Sequence, residues 1–373
     1  MRATLLEKMT VPYLNLTEQH RQIESELLAA IQSVFRRGDF VLGEAVEQFE
    51  RRFAAYCGTR YAIGVANGTD ALILSLKALG IGPGDEVITV PNSFVATASA
   101  IALVGARPVF VDVGPDFMID PSLIEQAITP ATRAILPVHL TGKMAHMPRI
   151  AAIAKKHGLF IIEDAAQAVG AEIEGRRAGA WSQTGCFSLH PLKNLNACGD
   201  GGIIVTDDEL LYVSLKQERN LGLRNRNECD FWAANSRLDT LQAAILMVKM
   251  DHLETWTEQR RENARYYNAH LSELVTTPAE SSDERAVYHT YIIQCDQRDD
   301  LQAYLSQNGI DTKIHYPIPI HLQPAAKNLG YAPGSFPVAE RQAKRILTLP
   351  VYPEMSMEQK AWVVHSIQEF YAS

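Results

Sequence analysis

The stretch AILPVHLTGKMAHMPRIAAIAKKHGLFIIED, residues 134–164, carries two apolar runs around a helical pattern. Ala134–Leu140 and Leu159–Glu163 are near-continuous in apolar residues, which suits strands buried on both faces. Met147–Lys156 between them reads as a helix. Strand, helix, strand in that order implies a parallel or mixed sheet with helices on both faces. The alternation continues in both directions. β-rich runs lie at Tyr61–Ala66, Glu86–Val90, Pro108–Val113, Cys186–Leu189 and Gly202–Thr206, with helical patterns at Thr69–Leu79, Val95–Val104 and Ser122–Ile128. Two helices over Glu18–Arg36 and Glu44–Tyr56 precede them. From Arg237 the pattern changes, and residues 237–270 predict one long amphipathic helix between domains. The tail predicts a strand at Tyr291–Cys295, a helix at Arg298–Asn308, a Pro-rich loop HYPIPIH at 315–321, and helices at Val338–Ile346 and Ser356–Tyr371. We therefore expect an α/β protein with a large domain over residues 1–252 and a smaller one over residues 253–373.

Composition narrows the function. The chain has 373 residues, which is room for about two domains. With 47% hydrophobic and 21% charged residues it is ordinary for a globular protein. The net charge of −8 and the lack of a basic block make nucleic acid or an anionic membrane poor partners. The N-terminal MRATLLEKM lacks the apolar core of a secretory signal, and no apolar run is long enough to span a bilayer. Five cysteines without a CxxC pair argue against zinc and against a disulfide framework, so the expected compartment is a reducing cytoplasm.

Open α/β sheets bind ligands at the C-terminal ends of their strands. After the first strand comes ANGTDAL, residues 66–72, where Gly68 and Thr69 open a helix. Free amides, a glycine and a hydroxyl there suit a phosphate, although an ordinary capped helix has the same residues. Asp164 directly follows a buried run. A buried carboxylate needs a partner, either a structural one or a cation such as a pyridinium nitrogen. Lys193 follows a short apolar strand, and desolvation turns a lysine into a nucleophile. GDGG at 199–202 precedes a strand, so it is no dinucleotide loop. A phosphate cradle, a strand-end Asp and a Lys 29 residues further on together fit pyridoxal phosphate.

At this point the sequence resembles the DegT/StrS-type sugar aminotransferases, fold type I pyridoxal phosphate enzymes, from about Val11 to Phe370. The matching stretches are GDFVLGEAVEQFERRFAAYCG (38–58), NGTDAL (67–72), GDEVITVPNSFVATASAI (84–101), EDAAQAVGA (163–171), FSLHPLKNLNACGDGGIIVT (187–206), NSRLDTLQAAIL (235–246) and HYPIPIHLQPA (315–325). The resemblance implies a large cofactor domain with a seven-stranded mixed sheet between helices, plus a smaller C-terminal α+β domain. It implies that Lys193 forms the Schiff base and moves the proton, and that Asp164 pairs with the ring nitrogen. By the same likeness Phe94 stacks on the ring, Gln167 lies beside it, and Gly68, Thr69 and Ser188 take the phosphate. Asn235 would reach the cofactor of a second subunit, making a homodimer with shared sites. The implied reaction moves an amino group from L-glutamate, leaving 2-oxoglutarate, to a keto- or aldehydo-sugar in surface-glycan, lipopolysaccharide or natural-product biosynthesis. Dehydratase relatives carry His where this chain has Lys193, which argues against dehydration.

The substrate is less legible. Thr141 and Lys143 stand where many members have Tyr and Gln, and Arg224 and Arg226 add cations. Such cations suit a nucleotide diphosphate, or the carboxylate of an acidic sugar such as an oxidised ulosonic acid. Lys143, His190, Arg224, His315, Tyr316 and His321 are the expected substrate contacts. His139 and His190 have a structural reading as well, and no metal is expected at His315 and His321. A sugar dehydratase and a non-catalytic, cofactor-binding regulator are the alternative functions.

Overall fold

The computed structural model describes residues 9–372. The signal-type reading of the N-terminus falls mostly on residues 1–8, outside that range. The first helix expected is two, α1 (Leu16–Gln22) and α2 (Glu24–Arg37), because Ile23 leaves helical geometry between them. α3 (Glu44–Cys57) follows. Then strands and helices alternate: β1 (Tyr61–Val65), α4 (Gly68–Ala78), β2 (Glu86–Thr89), α5 (Ala96–Leu103), β3 (Arg107–Phe110), the single turn α6 (Pro121–Ile124), β4 (Thr132–Ile135), α7 (Met147–His157) and β5 (Phe160–Asp164). The run expected as a strand to Leu140 ends as regular strand at Ile135; beyond it Leu136 N still donates to Ile88 O at 2.7 Å, and Val138 bridges Asp164. Two short strands missed by the apolar pattern, β6 (Glu172–Ile173) and β7 (Arg176–Arg177), form a hairpin. β8 (Thr184–Ser188) and β9 (Gly202–Thr206) complete the sheet.

That sheet has seven strands in the order β1-β9-β8-β5-β4-β2-β3. β9 runs antiparallel to both neighbours and the remaining pairs are parallel, so the sheet is mixed. Helices lie on both faces. Adjacent residues of β8 point opposite ways; Cys186 Sγ lies 3.2 Å from Ser75 Oγ on α4, while the Phe187 ring meets Phe53 of α3 at 5.0 Å. Along β9 every residue is buried, as a strand covered on both sides requires.

After α8 (Glu209–Glu218), a helix with only a weak apolar stripe, comes α9 (Thr240–Leu271), one unbroken helix of 32 residues. It serves two large apolar cores and a small third one, where Ile245 and Trp256 pack with Ile23 and Leu27. Ala243, Leu246, Met250 and Leu253 pack with the sheet, whereas Ala264, Tyr267 and Leu271 pack with the C-terminal elements. Those are β10 (Glu284–Arg285), which joins the β6–β7 hairpin, β11 (Tyr291–Gln294), α10 (Arg298–Gln307), α11 (Pro337–Arg345), β12 (Ile346–Leu349) and α12 (Met357–Ala372). β12 takes the last residue of the helix predicted over Val338–Ile346 and three residues to which the sequence pattern assigns no element. Its four residues are buried because it pairs antiparallel with β11. No helix of the described residues is long and apolar enough to cross a membrane.

Candidate active site

β1, β2, β4, β5 and β8 share one direction, so their C-terminal ends meet at one edge of the sheet. β9 runs the other way, which brings its first residue, Gly202, to the same edge. At the end of β1, Asn67 caps α4, with Oδ1 accepting from Asp70 N at 2.8 Å. The amides of Gly68 and Thr69 have no intrahelical acceptor, and they sit at the positive end of the helix dipole. A Cβ added at Gly68 would lie 2.7 Å from Ser188 Cβ, and one at Gly202 would lie 2.3 Å from Asn67 O. Three chain segments therefore close around the start of α4, and the glycines are what let them. Ser236 secures the corner, donating to Asp70 Oδ2 at 2.6 Å and accepting from Ala66 N at 3.2 Å.

Asp164 ends β5 and is 5% exposed. Thr97 Oγ1 donates to its Oδ2 at 2.8 Å, and Ala166 N donates to Oδ1 at 3.2 Å. Ser93 in turn donates to Thr97 at 2.9 Å. Among the described residues no cation pairs with Asp164. Burial raises its pKa, opposed by those hydrogen bonds and by Lys193. A deeply buried carboxylate with neutral partners fits a protonated ring nitrogen. Lys193 occupies the turn after β8, its amide donating to His190 O at 2.8 Å. Burial pushes its ammonium down to about 8, while Asp164 pulls the other way. A helix start with free amides, a buried carboxylate and a desolvated amine thus share one strand edge, and pyridoxal phosphate calls for an anion site, a carboxylate and an amine of this kind.

Other side chains gather from further along the chain. Gln167 accepts from Thr141 N at 2.8 Å and donates to Tyr316 Oη at 3.4 Å. The Tyr316 ring lies 5.6 Å from that of Phe94. Phe94 is 55% exposed, so it is not a core aromatic. Burial raises the Tyr316 phenol to about 12 and lowers His315 to about 4, with Lys193 adding to the second shift. His315 Nδ1 lies 3.0 Å from Thr348 Oγ1. Sequence reasoning missed His289, whose Nδ1 lies 3.3 Å from Asn194 Oδ1. Asn194 Nδ2 donates to Val287 O, so its oxygen faces the ring. Burial, then Lys193, holds His289 neutral. Its only sequence signal is a histidine ahead of an apolar strand.

Several expected contacts are engaged elsewhere. His139 is fully buried; its Nδ1 accepts from Ala145 N and its Nε2 lies 2.9 Å from Glu163 Oε2, the structural reading. Lys143 pairs with Glu284 at 2.9 Å and donates to Ala279 O. Arg224 is exposed and forks onto Asp230. His321 is corrected as a cleft residue: it is buried, 3.0 Å from Glu340 Oε1, and packed edge-on against Phe336. His190 is exposed and takes Leu192 N on Nδ1. Asn235 is exposed and bridges Asn220 through its backbone. Among the described residues, no three His, Cys, Asp or Glu side chains converge as metal ligands.

A family model described as the DegT/DnrJ/EryC1/StrS aminotransferase family matches residues 21–368. A Geobacillus stearothermophilus protein named "Pleiotropic regulatory protein" is 48% identical, covering 97% of this chain and 99% of its own length. The dTDP-3-amino-3,4,6-trideoxy-alpha-D-glucose transaminase of Streptomyces venezuelae is 42% identical, covering 98% and 97%. Among solved structures, S. venezuelae DesV superposes with a TM-score of 0.96 at 42% identity, covering 98% of this chain and 99% of that one. NtdA from Bacillus subtilis, with bound cofactor PMP, superposes at 0.92 and 34% identity, covering 98% and 86%.

Proposed function

The chain belongs to the DegT/DnrJ/EryC1/StrS aminotransferase family, and from that premise we propose that it transfers the amino group of L-glutamate to the carbonyl of a nucleotide-linked keto sugar. The single observation that carries this reading is Lys193 with a lowered pKa on the strand edge that also holds the buried Asp164. The sugar class follows from relatives whose names specify dTDP- or UDP-linked substrates. One relative is named for a glucuronate, which keeps an acidic sugar in view. Against that, Lys143 and Arg224 are already paired with Glu284 and Asp230, so neither cation is free to take a carboxylate.

Pyridoxal phosphate, when bound, supplies an electron sink for the carbanion formed at the donor carbon. Gly68, Thr69 and Ser188 would hold its phosphate, and Asp164 would keep a proton on its ring nitrogen. Phe94 would cover one ring face, and Gln167 would lie at the ring's edge. Lys193 takes the proton from the donor carbon and returns it on the other side of the exchange. Its lowered pKa leaves part of the amine neutral near pH 8, as a base requires. His315 and His289 stay neutral beside it, so they can hydrogen-bond substrate hydroxyls without adding charge.

A non-catalytic regulatory role is suggested by the names of two relatives. A cofactor-binding regulator would use the same lysine and carboxylate, so turnover with an amino donor is what separates the two readings. We further propose a homodimer in which Asn235 serves the partner's cofactor. Exposed apolar side chains support it: Trp232 is 95% exposed, Phe35 62% and Val41 55%, and Val41 bridges Asp239, four residues from Asn235 in the chain. The division near residue 252 is likewise a proposal, supported by the change of core along α9 after Leu253.

The test is spectroscopic. Protein loaded with pyridoxal phosphate should lose its visible absorbance on addition of L-glutamate and regain it with a nucleotide-linked keto sugar. Loaded protein that ignores glutamate and every other amino donor would favour the regulatory reading.

A further inference from the structure

Lys249, on α9, is fully buried, and among the described residues no carboxylate pairs with it. Its Nζ donates to Asn196 Oδ1 and to His20 Nε2 at 2.9 Å, and lies 3.9 Å from Cys198 Sγ. Burial lowers the pKa of Lys249, and burial together with the Lys249 charge lowers that of His20, so the ring is an acceptor. Burying an ammonium among neutral partners is costly, and an apolar side chain of similar length would pack there at lower cost. The arrangement therefore calls for a role that a methionine could not fill.

The role is visible in what Lys249 does to Asn196. By occupying Oδ1 it turns the amide nitrogen the other way. Asn196 Nδ2 then donates to the backbone carbonyl of Lys193 at 3.0 Å and faces Gln19 Oε1 at 3.3 Å. Gln19 is itself buried, and its own amide donates to Glu354 Oε1 at 3.1 Å. The turn bearing Lys193 is thus tied to α9, to α1 and to the segment before α12.

We propose that Lys249, acting through Asn196, is a positioning residue that holds the Lys193 turn so that its amine faces the cofactor. The inference rests on the aminotransferase reading. Lys249 is not among the charges that move Lys193, so its effect is one of geometry.

The experiment follows the reaction of cofactor-free protein with pyridoxal phosphate, read as the growth of the Schiff-base absorbance. Wild type, Asn196→Ala, Lys249→Met and the double variant are compared across pH, each below its own melting temperature. Each single variant should react at least 5-fold more slowly, with the midpoint of the pH profile unchanged. The double variant should be no slower than Asn196→Ala, because the two residues act in series. Single variants reacting at the wild-type rate, effects that multiply in the double variant, or a moved midpoint would overturn the proposal. Failure of the wild type itself to react would instead strike the function proposed above.

Discussion

Cofactor-free protein should titrate Lys193 far from the ordinary lysine range, and the size of the effect follows from its surroundings. Burial takes the ammonium from 10.5 to about 8, with Asp164 opposing the shift. At pH 7.5 a lysine of ordinary pKa is neutral in about one molecule in a thousand, against about one in four for Lys193, a gain of roughly 200-fold in reactive amine. The assay is a short pulse of pyridoxal at each pH, trapping with borohydride, and mass analysis of the Lys193 peptide. A midpoint near 8 is expected. Asp164→Asn should move it lower, since it removes the charge that favours the ammonium. A midpoint near 10.5, or an upward move in Asp164→Asn, would refute the reasoning.

The same shift has a consequence for stability. Between about pH 8 and 10.5 the unfolded chain holds a proton that the folded one has lost, so folding becomes more favourable as pH rises through that window. Below pH 8 the full cost is present. At about 1.4 kcal/mol per unit the ceiling is about 3 kcal/mol, and because Lys193 is partly exposed we take about 2 kcal/mol. Cofactor-free Lys193→Met should therefore melt higher than wild type at pH 7, and the gain should vanish by pH 10.5.

Gly68→Ala should weaken cofactor binding at least 10-fold by equilibrium dialysis, because its Cβ would lie 2.7 Å from Ser188 Cβ; unchanged affinity would remove Gly68 from the phosphate cradle. Glu163→Gln should destabilise the protein by about 2–4 kcal/mol. Its oxygens accept from Gly179 N, Trp181 N, Ser182 Oγ and His139, and an amide would set a donor against donors; an unchanged melting temperature would contradict this. Lys143→Met should leave the KM for the sugar within about 2-fold, since Glu284 holds the ammonium; a large rise would return Lys143 to the substrate. Asn235→Ala should speed loss of cofactor on dilution if the site is shared between subunits, and unchanged retention would count against that.

Much of the fold was legible because each feature rests on neighbours in sequence. The run from Leu159 to Ile162 is apolar because its strand is covered on both faces, and the carboxylates of Glu163 and Asp164 fall at the strand end. Asn67, Gly68 and Thr69 announce a helix start by capping chemistry alone. Where local preference was weak, the reading failed. β12 pairs with β11 some 50 residues away, and only that pairing marks Ile346–Leu349 as a strand.

Side-chain partnerships lay beyond the sequence altogether. Nothing near His321 says that it turns inward to Glu340, or near Lys143 that Glu284 waits 141 positions later to neutralise it. His289 joins the site only because Asn194, 95 residues earlier, offers its amide oxygen there. The sequence by itself determined most of the order of strands and helices, and the places of the lysine, the carboxylate and the capped helix start, since these follow from local periodicity and backbone chemistry. Which charges remained free, which histidines stayed neutral and which asparagine steadied the lysine were decided by tertiary structure, because desolvation and pairing depend on what the folded chain brings within a few ångströms.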